Sequence, residues 1–237
     1  MRGLGYEGDW VWYTEKYMSI IPAINAATFE DADKQLRKIL TFLPDGELIH
    51  LDIVDGKFAP NITWGTPQEM GAIIPTPERL GNRRFELHLM VENPEGVLDA
   101  WLRTGLVRRV IIHLEAMTDS VYILAKCKKY RVEAMLAANP GTDAERLLAH
   151  TSDFSYMQIL AVYPGLAGQK FQQKIIDKIK FLKQHAPSVT IEVDGGVNLE
   201  IAKQCKDAGA SLFVSASYIL ANDNPKEAFE TLIKATS

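Results

Sequence analysis

The stretch Leu48-Ile49-His50-Leu51-Asp52 carries the reading from which the fold follows. Its short apolar run reads as a β-strand, followed by the loop Gly56–Gly65. Side chains alternate along a strand, so Ile49 and Leu51 share one face and His50 and Asp52 the other. The aliphatic face packs on helices; the polar face points inward. The pattern returns in Phe85–Met90, where His88 stands between Leu87 and Leu89, and in Ile191-Glu192-Val193-Asp194, which runs into Gly195-Gly196.

Outward from these segments, short apolar runs alternate with amphipathic stretches. Met18–Pro22 is the first run; Thr28 then reads as a helix N-cap with Asp31 at capping-box spacing. Phe29, Ala32, Leu36 and Leu40 follow at helical spacing. Asn93-Pro94 and Asn224-Pro225 each place a capping side chain before a helix-starting proline. Strands are predicted at Val110–Leu114, Ala134–Ala138, Ile159–Val162, Thr190–Val193 and Ser211–Ser215. Helices are predicted at Ser120–Tyr130, along the Ile175, Ile179, Leu182 face, and after Asn198. Eight β-then-α units result, which implies parallel strands joined by right-handed crossovers. They close naturally into a (β/α)8 TIM barrel over residues 18–237, with an open doubly wound sheet as the alternative. Residues 1–17 precede the pattern and form an N-terminal extension.

The 237 residues, 47% hydrophobic, suffice for one such barrel with a real core. A net charge of -4 gives no general pull toward nucleic acid or anionic membranes, so anion specificity must be local. Cys127 and Cys205 are far apart and inside helical patterns, the signature of buried thiols in a reducing compartment. No signal peptide and no membrane-length apolar run is present, and the expected location is the cytoplasm.

In such barrels function sits at the C-terminal ends of the strands. There His50, Asp52, His88 and Asp194 converge from three strands. Singly, each has an ordinary structural reading: a core histidine, or turn chemistry before Gly-Gly. Two inward carboxylates near one axis would each cost several kcal/mol, about the desolvation penalty of a buried ion, and a divalent cation would resolve it. The N and O donors suit Zn²⁺, Fe²⁺, Mn²⁺ or Co²⁺. At the same end lie the small-residue loops Pro164-Gly165-Leu166-Ala167-Gly168-Gln169, Asp194-Gly195-Gly196 and Ser215-Ala216-Ser217. Such loops let backbone N–H groups approach a phosphate.

These residues resemble the ribulose-phosphate 3-epimerase family from about Met18 to the C-terminus. The segments His50 to Asn61, His88-Leu89-Met90, Asn139-Pro140-Gly141-Thr142, Pro164 to Phe171, Glu192 to Val197 and the Ser217 loop carry the resemblance. It implies a barrel of the ribulose-phosphate-binding type. It also implies one divalent ion, Zn²⁺ or Fe²⁺ first and Mn²⁺ or Co²⁺ next, held by His50, Asp52, His88 and Asp194. Asp52 and Asp194 become the acid/base pair on opposite faces of a ketose phosphate, exchanging the C3 proton through a metal-stabilised enediolate. His88, Gly165, Leu166, Ala167, Gly168, Gly195, Gly196, Ala216 and Ser217 become substrate- and phosphate-binding positions. A homo-oligomer of at least two copies is expected on the same ground.

The departures from the family pattern gather on the substrate pocket. Ala23 replaces a Ser, Asn25 and Ala26 replace Leu and Ser, and Val54 and Leu160 replace Met. Tyr163 stands for Asn, Asp or Glu, Leu166-Ala167 for Phe-Gly, and Ala216 for Gly. The leading expectation is interconversion of D-ribulose 5-phosphate and D-xylulose 5-phosphate. A ketohexose 6-phosphate such as allulose 6-phosphate is the alternative; a lyase or a non-catalytic phosphosugar-binding barrel ranks lower. His113, with Glu115 two residues on, either supports the metal ligands from behind or is structural, and the structural role is the expectation. Glu86 and Glu192 point inward below the histidines, to bond them or to pair with a buried cation.

Overall fold

The computed structural model describes residues 19–74, 77–165 and 169–237. The 1–17 extension lies outside them. Eight parallel strands close into a barrel in chain order. They are β1 (Ile20–Ile24), β2 (Leu48–Val54), β3 (Arg84–Met90), β4 (Val107–His113), β5 (Glu133–Ala138), β6 (Tyr156–Leu160), β7 (Thr190–Asp194) and β8 (Leu212–Ser215). The pairing of β1 with both β2 and β8 closes the ring and excludes the open sheet. Around it stand α1 (Phe29–Leu40), α2 (Met70–Ile73), α3 (Pro94–Leu102), α4 (Ser120–Tyr130), α5 (Ala144–Leu148), α6 (Ile175–His185), α7 (Leu199–Ala208), α8 (Ser217–Leu220) and α9 (Pro225–Thr236). Among the described residues no helix is long and apolar enough to cross a membrane.

Local chemistry sets the helix starts. Thr28 accepts from the Asp31 amide, Asn93 from Gly96, Asn198 from Ile201 and Asn224 from Glu227. Each such cap contributes about 1 kcal/mol by satisfying an amide the helix cannot. The outward faces of the strands (Ile49, Leu51, Leu87, Ile112, Ile159, Val193) and the inner faces of the helices (Leu36, Ile123, Ile179, Leu232) form one continuous buried core. Cys127 on α4 and Cys205 on α7 belong to it, and burial pushes both thiols up to about 12.

The barrel interior is mixed. Ile111, Met135, Ala137, Leu160 and Leu212 form a small apolar cluster, and an ion network centred on the buried Arg109 and Glu86 lies beside it. Arg109 on β4 donates from Nη1 to Glu86 Oε2 at 2.6 Å, and its Nη2 lies 2.9 Å from Glu133 Oε2. The guanidinium also sits over the Tyr156 ring, 4.3 Å from its centre. Burial alone would raise the Glu86 pKa, but the His50 hydrogen bond and the Arg109 charge hold it down at about 2. Burial and the Glu86 charge raise Glu192 well above its ordinary value; Gln158 Nε2 donates to its Oε1 at 3.0 Å.

Several strand boundaries differ from the sequence reading: β1 is Ile20–Ile24 where Met18–Pro22 is predicted, β2 continues to Val54, and β6 and β4 start earlier. β6 runs Tyr156–Leu160, not Ile159–Val162, because Gln158 belongs to the interior network. Its polarity hides the start of the strand from a search for apolar runs. β4 likewise begins at Val107, ahead of the predicted Val110, because Arg109 faces the buried carboxylates.

Candidate metal centre and active-site cleft

β2 delivers His50 and Asp52 to the C-terminal mouth of the barrel, β3 delivers His88, and β7 ends at Asp194. One donor atom from each lies within 4.8 Å of all the others. His50 Nε2 is 3.1 Å from Asp52 Oδ1, 3.3 Å from His88 Nδ1 and 4.0 Å from Asp194 Oδ2. His88 Nδ1 is 3.2 Å from Asp52 Oδ1 and 3.5 Å from Asp194 Oδ2. Ligands 2.0–2.2 Å from a tetrahedral ion are about 3.3–3.6 Å apart, and the 3.1–4.0 Å spacings here bracket that value.

The surrounding bonds orient the donors. His50 Nδ1 faces Glu86 Oε1 at 2.8 Å. A carboxylate only accepts, so Nδ1 carries the proton and Nε2 turns a lone pair to the centre. On the other side His113 Nδ1 faces Glu115 Oε2 at 3.2 Å, and His113 Nε2 lies 2.9 Å from His88 Nε2. The proton on His113 Nδ1 leaves its Nε2 as an acceptor, so His88 donates from Nε2 and aims the Nδ1 lone pair at the same centre. Two chains starting at carboxylates thus set both tautomers in the sense a cation requires. The donor set fits a divalent ion.

Without an ion the same two nitrogens, His50 Nε2 and His88 Nδ1, serve as donors to the carboxylates instead. Burial would raise Asp52, yet hydrogen bonds from His50 and His88 hold its carboxyl well below the usual range. Burial would lower His50, but Asp52 and Glu86 outweigh it and lift the pKa well above 6.5. His88 is raised too, against its burial, by Asp194 and Asp52. Without a cation these carboxylates draw protons onto the imidazoles. His113 is the exception: burial depresses it to about 4, so it stays neutral.

The backbone beneath is pinned. Thr63 Oγ1 accepts from the Val54 amide at 2.9 Å and donates to the Asp52 carbonyl at 2.8 Å. Asp55 accepts from the amides of Lys57, Phe58 and Glu92 and so fixes the loop after β2. Glu115 Oε1 accepts from the Asn139 amide at 2.9 Å and from the Thr142 hydroxyl. The Asn139-Pro140-Gly141-Thr142 turn therefore supports the chain leading to His88.

An open cleft lies above the cluster. Asp52 and Asp194 both line it, and Gly165, Gly195, Gly196, Ala216 and Ser217 form its far wall. Gly196 has φ +67, and a Cβ there would meet the Phe171 amide nitrogen at 3.0 Å, so this turn against the Phe171 backbone requires glycine. Ala23 and Tyr163 also line the cleft, with Tyr163 57% exposed. Leu166, Ala167 and Gly168 lie outside the described residues.

The sequence reading placed Asn25 among the departures at the substrate pocket without giving it contacts, did not single out Asn61, and ranked a structural role for His113 ahead of one supporting the ligand histidines. The available signal for His113 was parity, since it shares the inward face of β4 with Arg109 and Ile111.

The model of the ribulose-phosphate 3 epimerase family matches residues 19–220. The chain is 37% identical over 185 residues to ribulose-phosphate 3-epimerase of Chlamydia pneumoniae, covering 75% of this chain and 78% of that protein. It is 30% identical over 220 residues to the enzyme of that name from Bacillus subtilis, covering 91% and 98%. Among solved structures, a 3-hexulose-6-phosphate synthase superposes with a TM-score of 0.66 at 15% identity, over 93% of this chain and 100% of that one. Orotidine 5'-phosphate decarboxylase from Pyrococcus horikoshii OT3 gives 0.61 at 14% identity, over 92% and 98%. At such identities these two likenesses concern the fold alone.

Proposed function

The chain belongs to the ribulose-phosphate 3-epimerase family, a family of isomerases, and from that premise we propose that it inverts C3 of a ketose phosphate, D-ribulose 5-phosphate to D-xylulose 5-phosphate, in the cytoplasm. The observation that carries the reading is the presence of two carboxylates, Asp52 and Asp194, on one coordination-like cluster at the floor of one cleft. His50, Asp52, His88 and Asp194 would hold one divalent ion, Zn²⁺ or Fe²⁺ first and Mn²⁺ or Co²⁺ next. When bound, the ion supplies the Lewis acidity that stabilises negative charge on the substrate oxygens as the C3 proton leaves.

The chain's own residues do the rest. One aspartate takes the C3 proton from one face of the sugar, and the other returns a proton to the opposite face. The roles exchange in the reverse reaction, so the pair must differ in protonation state at the start of each turnover. The wall of Gly165, Gly195, Gly196, Ala216 and Ser217 would receive the phosphate through backbone N–H groups, and the family resemblance adds Leu166, Ala167 and Gly168 to the phosphate-binding positions. That contact anchors the sugar with C3 between the two aspartates.

A second reading keeps the chemistry and lengthens the sugar to a ketohexose 6-phosphate. It is favoured by Ala23 and Tyr163, two cleft residues that depart from the family pattern. Comparing kcat/KM on pentulose and hexulose phosphates separates the two; equal or better hexulose turnover overturns the pentulose assignment.

The decisive test of the reaction is solvent deuterium incorporation at C3 of ribulose 5-phosphate by metal-loaded protein. Exchange in the wild type that disappears in Asp194→Asn supports it. No exchange in the loaded wild type would falsify it.

A further inference from the structure

Asn25, the residue that follows β1, is placed where three elements meet at the cleft mouth. Its backbone is clamped by one side chain of α1: Gln35 Oε1 accepts from the Asn25 amide at 3.2 Å, and Gln35 Nε2 donates to the Asn25 carbonyl at 3.3 Å. Its side-chain Nδ2 donates to Asp52 Oδ2 at 2.8 Å and to the Gly165 carbonyl at 3.3 Å. Both partners are pure acceptors, so the orientation of the amide is determined: only the NH₂ end satisfies the two. The oxygen of Asp52 that Asn25 holds is not the one in the cluster, since Oδ1 faces His50 and His88.

Gly165 is held a second time. Asn61 Nδ2, from the loop after β2, donates to the same carbonyl at 3.0 Å. Gly165 has φ +112, and a Cβ there would come within 2.0 Å of Asn61 Oδ1. Only glycine lets the two chains approach this closely. Two asparagines thus converge on one carbonyl, and one of them also holds the carboxylate.

We propose that Asn25 is a positioning residue, a bridge that presents Asp52 with one oxygen to the cluster and the other to the cleft while tying it to the Gly165 wall. The proposal rests on the role assigned to Asp52 above. A carboxylate held at one oxygen by its ligand partners can still rotate about Cβ–Cγ and tilt; a donor on the second oxygen removes that freedom. Asn61 lacks any bond to Asp52 and serves the wall alone.

The test compares Asn25→Leu, close in volume but without a donor, with Asn61→Ala. A lost hydrogen bond to a charged group corresponds to about ten- to a hundredfold. Asn25→Leu should lower kcat by about that factor with KM little changed, and should weaken Zn²⁺ binding about tenfold in competition with a chromophoric chelator. Asn61→Ala should raise KM and leave Zn²⁺ affinity at the wild-type value. Asn25→Asp, which sets a second carboxylate against Asp52, guards against a packing artefact and should lower kcat at least as far as Asn25→Leu does. Wild-type kcat and Zn²⁺ affinity in a folded Asn25→Leu protein overturn the proposal, as does an equal loss of Zn²⁺ affinity in Asn61→Ala. If the wild type shows no C3 exchange, the catalytic reading fails by itself. The Zn²⁺ titration then decides the bridge alone, a tenfold loss supporting it and no loss overturning it.

Discussion

His88 and His113 lie nearly parallel, 12° between ring planes, with their Nε2 atoms 2.9 Å apart. Glu115 fixes the proton of His113, and His113 in turn fixes that of His88. Replacing His113 with Phe keeps a ring of similar size and removes the acceptor. Metal affinity should fall by about 10–100-fold, the usual cost of losing a group that orients a ligand. Chelator competition measures it; an unchanged affinity would show that His88 needs no orienting partner.

The same residue governs acid stability of the metal-free protein. The fold holds His113 at about 4 against an ordinary 6.5, so the unfolded chain takes up a proton that the fold refuses. The His113 contribution is complete above pH 6.5 and falls as pH drops toward 4, by roughly 3 kcal/mol in all. Glu115, depressed to about 2 by His113, Thr142 and Asn139 against its burial, loses its contribution as pH falls from about 4.5 through 2. The raised His50 and His88 work in the opposite sense, but their contribution is already complete below 6.5 and does not oppose this slope. Glu192, raised by burial and the Glu86 charge, gains stability over the same fall in pH, so the measure is the stability difference between wild type and His113→Asn in urea unfolding of metal-free protein, which should change steadily between pH 7 and 4. A parallel slope in the variant would assign the effect elsewhere.

Arg109 is the cation of the barrel floor. Arg109→Met leaves the buried Glu86 without its strongest charge partner. The expected loss is about 3–5 kcal/mol, the range for breaking one side of a buried ion pair. A shift below about 1 kcal/mol in urea unfolding would mean that Glu86 simply takes up a proton at little cost.

Chelation should abolish activity while far-UV circular dichroism keeps its barrel signature, since the core of strands and helices is complete without an ion. Asp52→Asn and Asp194→Asn should each reduce kcat by at least about 10²-fold, the lower range for a positioned acid or base. Collapse of the dichroism on chelation would make the ion structural, and near-normal kcat in either variant would remove that aspartate from proton transfer.

The sequence by itself determined the order of strands and helices, the helix caps at Thr28, Asn93, Asn198 and Asn224, and the inward parity of His50, Asp52, His88 and Asp194. These are local properties: a cap spans four residues, and alternation along a strand has a period of two. Only the tertiary structure decided who meets whom across strands. Closure and register set Arg109 opposite Glu86, beyond a shift in pairing after Phe85, and bring His113 against His88. Asn25 reaches Asp52 because β1 pairs with β2, and it reaches Gly165 because the end of β6 brings that residue to the same cleft. Such contacts join residues as much as 140 positions apart. No periodicity encodes them; they follow from how the sheet closes on itself.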